Sequence, residues 1–117
     1  MKEQLIVFEE LPKKFKNWYL IEIRSKRKDY DKFSDETLLK KLSRQPNEIL
    51  LFIVQKWLRE KHSLHISLYV QENTYLHRWR VKVFYLDKLE DPNVHFWDFD
   101  TYEEALEKGL QGALNLI

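Results

Sequence analysis

The chain has 117 residues, 44% of them hydrophobic and 33% charged, with a net charge of +1; such totals fit one ordinary globular domain and exclude a disordered chain. There is no cysteine, which removes disulfides, thiolate nucleophiles and Cys-based zinc or iron–sulfur centres. The near-neutral total hides an asymmetry: residues 1–86 carry eighteen Lys/Arg against eleven Asp/Glu, net +7, while 87–117 carry two against eight, net −6, a distribution that bears on partners more than on fold.

In chain order, Leu5 to Phe8 is a short apolar run, and Trp18 to Arg24 alternates Tyr19, Ile21 and Ile23 with Trp18, Leu20, Glu22 and Arg24. That alternation predicts a strand, and the two runs together predict an N-terminal strand pair over 4–24, with a first helix over 3–11 as the competing reading. Ser25 to Phe33 reads as a charged loop. Ser34-Asp35-Glu36 is a helix start with Ser34 as N-cap, and Leu38, Leu39 and Leu42 carry that short helix to about Ser43.

Pro46 then opens the central helix, Asn47 to Lys61. At about 100° per residue, Leu50, Ile53, Val54, Trp57 and Leu58 fall on one side with Leu51 at the margin. Gln55, Lys56 and Arg59 fall opposite. Past Lys61 the period drops to two. Leu64, Ile66, Leu68 and Val70 alternate with His65, Ser67, Tyr69 and Gln71, and Trp79, Val81, Val83 and Tyr85 alternate with Arg78, Arg80, Lys82 and Phe84. The pattern predicts an antiparallel hairpin with one apolar and one polar face. Val94 to Phe99 is a third strand, with Trp97 and Phe99 expected inward because Asp98 belongs outside. Thr101-x-x-Glu104 is a capping box, followed by a helix whose Ala105, Leu106, Gly109, Leu110, Ala113 and Leu114 share an arc.

The expected fold is therefore α+β: a two-layer sandwich in a single domain over 1–117. The core order over 46–117 is helix–strand–strand–strand–helix, with two main helices on one face of an antiparallel sheet. Residues 1–45 supply the preceding strands, loop and short helix. No apolar run reaches the roughly 18–20 residues of a membrane span and no secretion signal opens the chain, so a cytoplasmic protein is expected.

Catalytic patterns are sparse. The only glycines are Gly109 and Gly112, which leaves no phosphate-cradling loop. His62 and His65 straddle a helix end and a strand start; with His77 and His95 they are expected to be solvated, not metal ligands, and no cofactor is expected. His65-Ile66-Ser67-Leu68 matches half of the two-histidine phosphoesterase signature, but that chemistry needs a second copy to supply the acid, and none exists. No enzyme is expected. The polar face of the hairpin, with His65, Ser67, Tyr69, Arg78, Arg80, Lys82 and Phe84, is the candidate binding face: cations beside aromatics can hold single-stranded nucleic acid through phosphate contact and base stacking, while the same composition suits a solvated face or a protein contact.

The order of elements resembles a double-stranded RNA-binding domain. Where that family carries a lysine cluster at the second helix, however, this chain has Thr101-Tyr102-Glu103-Glu104, so no RNA-binding residues carry over. Gln55-Lys56-Trp57-Leu58-Arg59-Glu60-Lys61-His62, Leu64-His65-Ile66 and the segment Thr101 to Gln111 are similar to small uncharacterised proteins of bacterial mobile elements and prophages, over about residues 48–117. The resemblance implies a genomic setting and a helix–sheet–helix core without a site. The expectation is an accessory or adaptor protein acting on a protein partner or on itself as a homo-oligomer, with single-stranded nucleic acid as the alternative.

Overall fold

The computed structural model describes residues 6–70, 79–86 and 94–117, with 94–98 described by their backbone alone. The fold is α+β. A 3₁₀ turn at Phe8–Glu10 leads into α1, Lys13–Lys26; a second turn at Lys28–Lys32 leads into α2, Asp35–Ser43; and α3, Asn47–His62, follows. Strands β1, Leu64–Val70, β2, Trp79–Tyr85, and β3, Val94–Phe99, form an antiparallel sheet in that order, and α4, Tyr102–Leu114, closes the chain.

Among the described residues, which begin at Ile6, neither the expected N-terminal strand pair nor the competing helix is present. As far as the described residues run, the first apolar stretch is a single 3₁₀ turn and Trp18 to Arg24 lies inside α1. The physical reason is that α1 is buried on two sides. Phe15 and Trp18 enter the main core, whereas Leu20 is buried in a second, smaller cluster with Tyr30 and Leu38, and Ile23 packs against it. Two apolar sides on one helix merge into an unbroken apolar run, and Ile21, 72% exposed, completes the false alternation. The charged loop expected over 25–33 is likewise replaced by the end of α1 and a turn that buries Tyr30.

The helix starts have visible causes. Ser34 Oγ accepts from the Thr37 backbone N–H at 3.2 Å, and Thr101 Oγ1 accepts from the Glu104 N–H at 3.1 Å, each satisfying one of the orphan donors of a first turn. Helix α3 ends at Ser63, whose left-handed φ of 54° turns the chain straight into β1. The core joins α1, α3, α4 and the strands: Phe15, Val54, Trp57, Leu58, Val81, Val83, Leu110 and Ala113 are all at most 2% exposed. Phe15 meets Trp57 edge to face at 5.4 Å, a geometry aromatic pairs favour.

Helix α4 crosses all three strands and comes so close to the hairpin that a Cβ at Gly109 would stand 2.6 Å from Val81 Cγ2 and 3.1 Å from Ile66 Cγ2. Only glycine fits there. Asn47 Nδ2 donates to Glu107 Oε1 at 2.6 Å, tying the start of α3 to α4. In β3, Phe99 stands opposite Trp79 but Phe96 opposite Val81, so three residues of β3 span two of β2. Such an irregularity breaks strict alternation. By register it is Val94 and Phe96 that stand opposite the inward Val83 and Val81; the expectation for the Trp97 side chain lies outside the described residues.

Candidate interaction face of the sheet

With Leu64, Ile66, Val81 and Val83 buried under α4 and α3, the alternate residues of the hairpin face the other way. The register sets His65 opposite Phe84, Ser67 opposite Lys82 and Tyr69 opposite Arg80. All six side chains are half-buried, as neighbours on one sheet face shield each other. Arg78, the remaining candidate, lies outside the described residues.

Two contacts link four of the six. His65 and Phe84 pack edge to face with ring centres 5.3 Å apart, and the Lys82 ammonium sits 5.0 Å from the centre of the Tyr69 ring, inside the range of a cation–π contact. These contacts set three rings and one cation side by side. The face offers hydrogen-bond donors and ring edges, with no acid among the six. Neither Tyr69 nor Phe84 is among the residues packed against the two hydrophobic clusters.

The other histidines do not join it. His62 turns back toward the core, edge-on to Trp57 at 4.7 Å, and burial together with the nearby Lys14 ammonium lowers its pKa. The side chains of His77 and His95 lie outside the described residues. Among the described residues, no three His, Asp or Glu groups come together as metal ligands, and no helix is long and apolar enough to cross a membrane.

Two features escape the sequence patterns above. Helix α3 exposes Phe52 by 62% and Ile49 by 43%; the signal was present, because residue 52 projects on the same side as Gln55, Lys56 and Arg59. The second is Tyr30. Its ring is buried, and its phenol oxygen accepts from Arg27 and from Lys41, each at 2.8 Å, so that the Lys41 hydrogen bond and the charge of Arg27 hold its pKa below the usual phenol value.

No protein family, curated protein or solved structure matches the chain. The geometry of its own residues is what a functional reading has to rest on.

Proposed function

We propose that the chain is a non-enzymatic interaction domain, an accessory or adaptor of a bacterial mobile element that works in the cytoplasm by contacting a protein partner or a second copy of itself. The observation that carries this reading is the exposed pair Ile49 and Phe52 on α3. Burying a side chain of this size is worth roughly 1.5–3 kcal/mol, and the two stand one turn apart on the polar side of a helix that already buries five residues, an apolar spot that a partner would gain by covering. The resemblance over 48–117 supplies the genomic setting. As a fold, the reading takes the sheet as one layer and α3 and α4 as the second, a two-layer sandwich with an open outer face.

Light scattering over a dilution series, paired with a pull-down, tests it. Wild-type protein is expected to associate or to retain a partner, and Phe52→Glu to weaken that contact without unfolding the chain. A strict monomer that retains nothing would count against it.

Single-stranded nucleic-acid binding by the outer face is the second reading, favoured by the Lys82–Tyr69 and His65–Phe84 contacts beside Arg80. It requires affinity that falls with salt and falls again when Arg78, Arg80 and Lys82 are replaced by Ser. Absence of binding to mixed oligonucleotides at about 50 mM salt would remove it.

A further inference from the structure

Helix α3 carries a second stripe on the side away from the core. At about 100° per residue, Phe52 stands about 160° round the helix from Val54, which is 0% exposed. Glu48, Phe52 and Arg59 fall within about 40° of one another, with Ile49 and Lys56 flanking on one side and Gln55 on the other. Positions 48, 52, 55 and 59 advance by alternate steps of four and three residues, the spacing at which one helix meets another along its length. None of the stripe is buried. Glu48 and Arg59 are exposed with Phe52 and Ile49, and Gln55 and Lys56 are half-exposed. Among the described residues neither Glu48 nor Arg59 is in an ion pair. Lys56 has the Glu22 and Glu60 carboxylates at 3.9 Å each, outside hydrogen-bonding distance.

The order of chemistry along the stripe is acid, ring, base, and that order complements its own reverse. Laid antiparallel on a second copy with Phe52 on the two-fold axis, ring meets ring and Ile49 of each copy packs beside the other's Phe52. Glu48 falls opposite Lys56, with Arg59 one turn further on. Helical side chains lean toward their own N-terminus, so Glu48 and Arg59 lean toward each other across an antiparallel pair. The helix dipoles oppose favourably in the same arrangement. A parallel pair would instead set Glu48 against Glu48 and Arg59 against Arg59, which repel. The charges therefore favour a second copy of the stripe itself, turned end for end.

We propose that α3 pairs antiparallel with α3 of a second copy about a two-fold axis at Phe52, with Glu48 of each reaching Arg59 and Lys56 of the other. The proposal rests on the interaction-domain reading above and names the partner as the chain itself. Two isoleucines and two phenylalanines make a small apolar contact, so the pair exchanges with monomer and the charges set its register. The stripe points away from the sheet, and the outer sheet face of each copy stays uncovered.

Reversing the charges one copy at a time tests the register. Sedimentation equilibrium of the full chain, up to about 1 mM so that a weak dimer is populated, compares wild type with Glu48→Arg, Arg59→Glu and an equal mixture of the two. Wild type is expected to dimerise. Each variant alone sets like charges against each other on both sides of the axis and is expected to dimerise about tenfold more weakly. In the mixture every charge at 48 meets the opposite charge at 59, and most of the lost affinity is expected to return. Phe52→Glu sets two carboxylates on the axis and is expected to abolish the dimer, with circular dichroism confirming that the chain stays folded. Suppose wild-type protein associates while the mixture dimerises no more tightly than either variant alone. That result would overturn the α3 pairing and leave the interaction-domain reading standing. A monomer that still retains a protein partner would do the same. A monomer that retains none would overturn both.

Discussion

The main core and the smaller cluster under Tyr30 lie on different sides of α1, and they close in different ways. The main core closes by fit: α4 lies against the hairpin at a distance that only Gly109 allows, and one buried polar atom, the Trp18 indole nitrogen, is left without a hydrogen-bond partner among the described residues. The smaller cluster has Leu20, Tyr30 and Leu38 as its buried members. It is sealed by charge: Arg27 and Lys41 both donate to the Tyr30 oxygen, and both lie over its ring at 4.9 and 4.8 Å. Nearby, Arg24 pairs with Asp35 at 2.7 Å and donates to the Phe33 carbonyl, holding α1 to the start of α2. The contrast locates the stability of the molecule. Fit fails all at once when a side chain is removed, whereas a clasp of two hydrogen bonds to a phenol and one surface ion pair, the ion pair worth about 0–1 kcal/mol, opens locally.

Truncating one leucine in each cluster gives the largest expected effect and tests the contrast most directly. Leu58→Ala in the main core, where Leu58 is 0% exposed, is expected at the upper end of the about 2–5 kcal/mol cost of such deletions. Leu38→Ala, with fewer neighbours to lose, belongs at the lower end. Hydrogen exchange should separate them further: Leu58→Ala lowers protection throughout, and Leu38→Ala chiefly over 20–42. Equal and global losses would mean that the two clusters are one cooperative unit.

Next in size is Gly109→Ala, where two effects compete. Alanine gains about 1 kcal/mol of helix propensity, but its methyl would meet Val81 Cγ2 at 2.6 Å. Val81 is fully buried and branched at Cβ, so it has little room to turn. Overpacking of this kind costs roughly 1–3 kcal/mol, and the net change in chemical denaturation is expected to be destabilising. Adding Val81→Ala should make the pair cost less than the sum of the singles. A stabilised single variant would mean that α4 docks less tightly than the strands and helix imply.

The same contrast explains what could be read in the sequence. Helices α3 and α4 and the β1–β2 hairpin each bury one side, so a single period in the sequence marks each of them, and the caps at Ser34 and Thr101 announce the starts of α2 and α4. Helix α1 buries two sides and so reads as a strand. Tyr30 sits among Lys28, Asp29, Asp31 and Lys32, and nothing local marks it as buried; its oxygen is satisfied by Lys41, eleven residues on. On the candidate face, the alternation gave the outward residues of the hairpin, but the pairing of His65 with Phe84 and Lys82 with Tyr69 depends on register.

The smallest effect is spectroscopic, and it isolates the charged clasp. Tyr30 has its pKa lowered from 10.0 by the Lys41 hydrogen bond first, with Arg27 adding to it, while Tyr19 has its pKa raised from 10.0 by burial. In absorbance titration of the native chain, Tyr30 is therefore expected to ionise before the ordinary range and Tyr19 after it. Tyr30→Phe should delete the early step and leave the late one. The linkage has opposite signs at the two sites. A phenol whose folded pKa lies below its unfolded value adds stability above the unfolded value and loses it as pH falls through the folded one. Tyr19 adds stability below the unfolded value and loses it as pH rises through its own. The difference in stability between wild type and Tyr30→Phe should thus grow in favour of wild type as pH climbs toward 10.0, the ordinary phenol value. Lys41→Met should shrink that slope more than Asp35→Asn, because Lys41 touches the phenol and Asp35 only pairs with Arg24. A slope that ignores Lys41 would show that the smaller cluster is held by its leucines alone, and the two clusters would then differ in size but not in kind.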